Sequence, residues 1–227
     1  MKIDRRKTYY IVLDTEACNT DVDDMKTSLV YDLGFAVVDK EGNVYETRNL
    51  VIYDIYAREK ELMKSAYYAD KLPQYEEELK SGVRKMVSIM TAKAILAETA
   101  KKYNVRAIVA HNARFDVNAL NVTIRYITKS KVRYFLPYGI EIWDTMKMAN
   151  DTICKQKAYI RYCNENGYLT AHKKPQVRKT AEILYRYLTH AHDFVEKHTG
   201  LEDVLIEKEI LTRCLAQHKK MKKALYA

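Results

Sequence analysis

Five short apolar runs lie along the chain, and their order restricts the folds that it can adopt. They span residues 8–15, 31–39, 44–53, 105–110 and 138–143. Each is rich in the β-branched and aromatic residues that favour strands. A turn sequence separates the second run from the third, which predicts a hairpin, whereas helical patterns separate the later runs. Strands in succession followed by alternating helices and strands predict an α/β fold with a mixed five-stranded sheet flanked by helices.

Helical patterns fill much of the remaining sequence. The clearest cover residues 114–128, 180–189 and 201–219. The stretch 157–174 fits none of the predicted strands and is interpreted as a helical insertion. With 227 residues and 48% hydrophobic content, the chain has enough apolar sequence for one well-filled core, so a single domain over 1–227 is expected.

The charge balance favours a polyanionic partner such as nucleic acid. Lysines and arginines outnumber aspartates and glutamates by 39 to 30, and the pI is near 9.2. Four cysteines without zinc spacing predict free thiols in a reducing, cytoplasmic compartment. The sequence lacks an apolar signal region and any run long enough to span a bilayer, so no membrane association is expected.

Two acids, Asp14 and Glu16, lie at the end of the first apolar run. Alternation along a strand would place both side chains on the same face, where they could share a cation. The ordinary explanation is a strand end whose acids are solvated, and for a lone Asp-Thr-Glu triplet that explanation is the stronger one.

A second motif, His-Asn-Ala-Arg-Phe-Asp, follows the fourth apolar run. It brings Asn112 and Asp116 to the carboxyl end of a predicted strand, where ligands collect in open α/β sheets. Asp116 could instead simply complement the dipole of the helix that begins here. His111 is interpreted as a packed, hydrogen-bonded histidine and not as a ligand.

A third motif combines His198 with Asp203. The intervening Thr199 and Glu202 match a capping box, which would engage Glu202 with backbone amides and leave Asp203 able to turn toward the sheet. His198 precedes the cap and is suited to accept a proton from water near neutral pH, although an exposed loop histidine is as good an explanation for this residue alone.

Together the motifs resemble those of the DEDDh family of 3′-to-5′ exonucleases, which share the ribonuclease H-like fold. The matching residues are Asp14, Glu16, Asp116, His198 and Asp203. The related tyrosine class carries a tyrosine four residues before the last aspartate, where this chain has a threonine, so the histidine class fits better. The resemblance covers nearly the whole chain.

The resemblance implies a metal-dependent hydrolase. The four carboxylates of Asp14, Glu16, Asp116 and Asp203 would hold two Mg²⁺ or Mn²⁺ ions, which oxygen-rich sites favour over zinc, and His198 would be the general base. Single-stranded DNA would be cut from its 3′ end to nucleoside monophosphates. Thr15, Asn112 and Phe115 are the candidates for contact with the substrate, Phe115 through base stacking.

Two other functions stay open at this stage. One is an exoribonuclease on short RNA, because preference for a sugar depends on contacts to the 2′-hydroxyl. The other is a nuclease-like module that binds nucleic acid or a polymerase without cutting, although such a module has no need to concentrate carboxylates. A source in a virus or phage, with location in the host cytoplasm, is compatible with the chain.

The basic stretch 218–223 is interpreted as a solvated helix end.

Overall fold

A six-stranded mixed sheet forms the centre of the structure, a computed structural model that describes residues 3–19, 27–64, 66 and 69–226. The strands are β1 (Tyr9–Asn19), β2 (Ser28–Asp39), β3 (Val44–Ile52), β4 (Lys85–Val87), β5 (Ala107–Ala110) and β6 (Glu141–Asp144). Their order across the sheet is β4-β3-β2-β1-β5-β6. The β1-β2 and β2-β3 pairs are antiparallel, whereas the β1-β5, β3-β4 and β5-β6 pairs are parallel. The predicted α/β class is therefore confirmed.

Helices cover both faces of this sheet. They are α1 (Tyr53–Tyr56), α2 (Lys60–Lys64), α3 (Leu72–Ser81), α4 (Ile89–Tyr103), α5 (Arg114–Thr128), α6 (Thr145–Thr152), α7 (Lys157–Glu165), α8 (Ala181–Thr189) and α9 (Gly200–Ala216). No helix in the described ranges combines the length and the apolar character that crossing a membrane would require.

Two apolar clusters, one on each face, hold the layers together. Ile11 and Leu13 of β1 pack with α4 and α5, whereas Tyr10 and Val12 pack with α6, α8 and α9. Strand β2 lies next to β1 in the middle of the sheet and is buried along all of its length. Alternation along β1 therefore assigns its even-numbered side chains to the face that carries α9.

Two features of the sheet differ from the sequence prediction. Strand β1 continues beyond residue 15 to Asn19, because its backbone keeps pairing with β2 after a bulge between Glu16 and Ala17. The sheet also has a sixth strand, β4, in a region whose sequence pattern is helical and charged. Strand β4 has only three residues, too few for alternation to appear in a sequence.

The end of the described chain also corrects an expectation. The basic stretch 218–223 is not a solvated helix end, because α9 stops at Ala216 and the chain turns back toward β6. There Leu225 donates its amide hydrogen to the carbonyl of Ile142, and Ala224 forms a bridge with Trp143. Burial of Leu225 against the sheet stabilises this return.

The stretch interpreted as an insertion contains α7 and the start of a short hairpin. A bridge between Leu169 and Val177 closes that hairpin, and Tyr159 of α7 is buried in the α9-side cluster. The acidic stretch 21–24, which separates the first two apolar runs, lies outside the described residues.

Candidate active site

Asp14 and Glu16 lie within β1, on the face that carries α9. In the pairing of β1 with β2, Asp14 is opposite Gly34 and Glu16 is opposite Asp32. The bulge follows immediately after Glu16, so both acids precede the irregularity and keep the strict alternation of the strand. The sequence prediction that these two side chains share a face therefore agrees with the strand geometry.

The beginning of α9 contacts this part of the sheet backbone to backbone. A Cβ atom added to Gly34 would lie 2.1 Å from the carbonyl carbon of Gly200, and one added to Gly200 would lie 2.7 Å from the amide nitrogen of Gly34. Only two glycines permit such an approach. The contact brings the first turn of α9, with Asp203, against the strand residues opposite Asp14.

The hydrogen bonds of the capping box predicted for α9 are not formed in the structure. The hydroxyl of Thr199 does not accept from a backbone amide but donates to Oε2 of Glu202 at 2.5 Å, and Lys197 donates to Oε1 of the same carboxylate. The amide of Gly200 instead donates to Oδ2 of Asp32 at 3.0 Å. The close approach of α9 to β2 explains this exchange, because it brings a strand carboxylate within reach of the first helical amide.

Asp32 is in turn held by a buried arginine. Arg84 donates to Oδ2 of Asp32 at 2.6 Å, and the Tyr75 hydroxyl donates to the same oxygen, also at 2.6 Å. The Arg84 guanidinium also stacks 3.9 Å from the centroid of the Tyr75 ring. This ion pair fixes the carboxylate that receives the Gly200 amide, and through it the position at which α9 begins.

His198 and Asp203 meet Glu16 at the start of α9. One side-chain oxygen or nitrogen from each of these three residues lies within 4.8 Å of the other two. His198 has a left-handed backbone, with φ of 53°, so the chain turns sharply just before the helix. Burial lowers the pKa of the His198 imidazole, which favours the neutral form that accepts a proton.

Asp116 lies in the first turn of α5 and is almost completely buried. Its Oδ1 atom accepts a hydrogen bond from the hydroxyl of Thr15 at 2.9 Å. Thr15 stands between Asp14 and Glu16 but points to the opposite face, so this bond ties α5 to the acidic strand. The structure thus places Thr15 against Asp116, and its hydroxyl, predicted to contact substrate, is directed to that carboxylate.

All four predicted carboxylates have raised pKa values. Burial is the largest cause at each, and neighbouring carboxylates add to it. The pKa of Asp14 lies well above its usual range, and those of Glu16, Asp203 and Asp116 are raised to about 9, 8 and 7. The hydrogen bond from Thr15 opposes the shift at Asp116. The structure therefore brings these acids together in one electrostatic cluster.

A fifth carboxylate, Glu207, belongs to this cluster and was missed from the sequence. It lies on α9 four residues after Asp203, hence on the same helical face, and is only 3% exposed. Among neighbouring charges, Glu207 raises the pKa of Asp14 most. Its Oε1 atom accepts a hydrogen bond from the amide of His111 at 3.1 Å. The position of Glu207 four residues after Asp203 could have indicated it in the sequence, but polar residues four apart are common on any helix.

The second motif contributes less directly. His111 is a packed histidine, as predicted, because its ring nitrogens contact the Thr145 hydroxyl at 2.9 Å and the Lys179 carbonyl at 2.6 Å. Asn112 is exposed and has a left-handed backbone, and its backbone amide donates a hydrogen bond to Oδ1 of Asp144 at 3.2 Å. Phe115 is half-buried at the start of α5.

A cavity of about 690 Å³ opens beside the acidic cluster. Its acidic lining includes Asp14 and Glu207, and Asn112 also faces it. Arg178 and Lys179, which follow the short hairpin, provide cations in the same lining. A ligand in this cavity would therefore meet carboxylates and positive charges together, the combination suited to a phosphate bound beside metal ions.

The residues of the cluster fit divalent cations that prefer oxygen. Three buried carboxylate oxygens in the described part of the chain have no hydrogen-bond partner. One is Asp32 Oδ1, and the other two, Asp203 Oδ1 and Glu207 Oε2, belong to the cluster. Buried, mutually repelling carboxylates are costly unless a cation compensates them. Hard oxygen ligands of this kind suit Mg²⁺ or Mn²⁺ and not the soft sites that bind copper or iron–sulfur clusters.

The raised pKa values predict that the metal-free protein loses stability as pH rises. Unfolded carboxyls titrate near pH 4, so between about pH 4 and 9 the folded state binds more protons than the unfolded state, and the free energy of unfolding falls with pH. In EDTA, we expect the melting temperature to decrease from pH 7 to pH 9, a range above the titration of the buried histidines. Added Mg²⁺ should reverse the decrease, and Asp203→Asn should weaken it. A melting temperature in EDTA that increases over this range would contradict the prediction.

Comparison with known proteins supports the fold. No model of a known protein family matches the chain, and no curated protein matches its sequence. The structure is similar to that of a full-length 3′-exonuclease, with a TM-score of 0.54 and 12% sequence identity, over 100% of this chain and 67% of that one.

Two further solved structures resemble the chain at lower TM-scores. Exonuclease X in complex with 5′-overhanging duplex DNA has a TM-score of 0.41 and 14% identity over 92% of both chains. E. coli exonuclease I in complex with a dA16 oligonucleotide has a TM-score of 0.45 and 16% identity over 94% of this chain and 41% of that one. At such identities a structural likeness establishes architecture alone. The chain accordingly has a mixed α/β fold similar to that of a 3′-exonuclease, consistent with the ribonuclease H-like fold that the family resemblance implies.

Proposed function

We propose that the chain is a metal-dependent 3′-to-5′ exonuclease that hydrolyses single-stranded DNA to nucleoside monophosphates. The observation that carries the proposal is the gathering of Asp14, Glu16, Asp116 and Asp203 into one largely buried cluster with a histidine at its edge. A protein that only binds a polyanion gains nothing from concentrating carboxylates at the binding site, because they repel phosphates.

The residues of the cluster divide into two roles in this proposal. Asp14, Glu16, Asp116 and Asp203 would hold two Mg²⁺ or Mn²⁺ ions, which supply Lewis acidity at the scissile phosphate and the leaving 3′ oxygen. His198 would take the proton of the attacking water, since burial keeps its imidazole neutral near pH 7. The Thr15 hydroxyl orients the Asp116 carboxylate.

A second cavity, of about 750 Å³, supports nucleic acid as the substrate. It shares Met146 and Lys179 with the cavity beside the acids, and its lining includes Arg114, Lys222 and Lys223. Lys222 and Lys223 belong to the segment that follows α9 and returns to β6. Cations along a path that leads away from a metal centre suit the successive phosphates of a strand.

The first cavity has room for a terminal nucleotide. Its volume of about 690 Å³ is in the range of small-ligand sites. Asn112 lines this cavity, and Phe115 lies in the first turn of α5, three residues further along the chain. Both are proposed to contact the terminal base and sugar.

Comparison of matched oligonucleotides tests the substrate. In Mg²⁺ or Mn²⁺, a 5′-labelled DNA strand should shorten stepwise from its 3′ end, faster than RNA of the same sequence. Faster loss of the RNA would instead favour the exoribonuclease alternative, which shares the same acids. Metal-independent binding without any shortening would favour a binding module, for which a polymerase is the protein partner to test.

We place the activity in the cytoplasm, in keeping with four buried free cysteines.

Replacing His198 with alanine tests its role as base. We expect hydrolysis to slow by roughly 10²-fold or more, while Mn²⁺ affinity measured by calorimetry stays near that of the wild type. His192→Ala, at an exposed histidine of the preceding loop, serves as the matched control and should leave turnover unchanged.

One ring nitrogen of His198 lies within 4.8 Å of carboxylate oxygens of Glu16 and Asp203, so the imidazole could itself bind a metal ion. The measurement of metal affinity distinguishes that role from the role of a base. A large loss of Mn²⁺ affinity in His198→Ala would assign the imidazole to the metal centre. Turnover equal to that of the wild type would remove His198 from catalysis altogether.

A further inference from the structure

We infer that Glu207 supplies a fifth carboxylate to the metal centre, on the side of Asp14. The inference rests on the metal dependence in the proposed function and concerns a residue outside the four-acid motif set. It starts from the position of Glu207 on α9, one helical turn after Asp203 and facing the same way.

The two oxygens of Glu207 have different surroundings. Oε1 accepts the amide hydrogen of His111 at 3.1 Å, a bond that orients the carboxylate plane. Oε2 is buried and has no hydrogen-bond partner. A carboxylate with one oxygen fixed by a backbone donor and the other unpaired is arranged to bind something through the second oxygen.

The surroundings of Glu207 are acidic. Glu207 and Asp14 line the same cavity. The neighbouring charges that act most strongly on Glu207 are carboxylates, Asp116 first and then Asp203 and Glu196. A buried carboxylate among other carboxylates requires a cation, and the ions proposed for Asp14 and Asp116 are within the same cluster.

Glu207 also links three parts of the site that come from distant positions in the sequence. Glu207 and Asp203 belong to the same helix, α9. The Oε1 atom of Glu207 accepts a hydrogen bond from His111, which directly follows β5, and Glu207 lines the same cavity as Asp14 of β1. Binding of an ion by Oε2 would therefore join the helix to both strands. Metal binding should accordingly stabilise the fold by mass action, in proportion to its affinity.

The test is Mn²⁺ binding by the purified full chain and its Glu207→Gln variant. The amide oxygen of glutamine can still accept from the His111 amide, so a role limited to that hydrogen bond is preserved while the second oxygen and the charge are lost. We expect Glu207→Gln to bind at least one Mn²⁺ about tenfold or more weakly in calorimetry. The rise in melting temperature between EDTA and Mn²⁺ should also be smaller than in the wild type.

Glu209→Gln is the matched control. Glu209 lies on another face of α9, paired with Arg213 at 2.7 Å, and its substitution should leave Mn²⁺ affinity unchanged. If Glu207→Gln does not fold, Glu207→Asp replaces it, because it keeps the charge but draws the oxygens back by one methylene. That variant should also bind Mn²⁺ more weakly than the wild type.

The outcomes separate this inference from the proposed function. Mn²⁺ affinity equal to the wild type in the folded Glu207 variant would overturn the role of Glu207 while leaving the exonuclease proposal standing. Weaker binding by the variant, together with a wild type that leaves oligonucleotides intact, would support the metal ligand and overturn the nuclease. A wild type that binds no Mn²⁺ would overturn both.

Discussion

Replacing Asp14 with asparagine should abolish the shortening of a 5′-labelled DNA strand, with a rate at least about 10³-fold below that of the wild type. The charges of the other acids, Glu207, Asp116, Glu16 and Asp203, all act on Asp14. Loss of its charge removes a ligand of the proposed ions, whose contribution to stabilising the transition state is several kcal/mol.

The Asp14→Asn variant should remain folded, which distinguishes lost chemistry from lost structure. Asparagine has nearly the same shape, and removing one of several repelling carboxylates relieves the metal-free protein. We expect its melting temperature in EDTA to equal or exceed that of the wild type. Asp193→Asn, at an exposed loop aspartate, is the control and should cut at the wild-type rate. Retained hydrolysis in Asp14→Asn would contradict the proposed site.

Replacing Gly34 with valine should damage both the fold and the activity. Even the Cβ atom would stand 2.1 Å from the Gly200 carbonyl carbon, and the three nearest atoms all belong to the backbone of Gly200 and Leu201, so no flexible group can move aside. Helix α9 must then shift away from β2. We expect a loss of at least about 3 kcal/mol in the free energy of unfolding, or roughly 6 °C in melting temperature for a chain of this length.

The activity of the Gly34→Val protein that remains folded should fall by about 10²-fold or more. Helix α9 carries Asp203, and small displacements of positioned groups have effects of this size. Circular dichroism melting and the oligonucleotide assay check both parts. Gly82→Asn is the control, because nothing lies within 4 Å of a Cβ there and asparagine tolerates the left-handed backbone. A Gly34→Val protein with wild-type stability would show that α9 does not pack as described.

Sequence patterns anticipated the parts of this protein that depend on local periodicity. The helix over 114–128 agrees with α5 at both ends, and strand alternation explains why Asp14 and Glu16 share a face. The Asp144 carboxylate caps α6 by accepting a hydrogen bond from the Met146 amide, two residues further along the chain. These features involve residues a few positions apart, whose spacing is itself the signal.

Other parts depend on contacts between distant residues and left no such signal. The bond from the Gly200 amide to Asp32 joins positions 168 residues apart, and a local capping box was the reasonable but wrong alternative. Glu207 stands at ordinary helical spacing, and only the approach of α9 to β1 and β5 gives it a role. The three residues of β4 and the return of the chain to β6 likewise depend on the sheet that receives them.

The return of the chain over β6 has a consequence for association between molecules. An edge strand with free backbone groups is a template onto which another molecule can add a strand. Here the amide of Asp144 donates to the Lys223 carbonyl at 2.8 Å, and Ile142 accepts from Leu225. At the opposite edge, β4 offers only three residues. The sheet is thus protected at one edge and short at the other, which disfavours growth into intermolecular β-structure even though its central strands are long and strongly apolar.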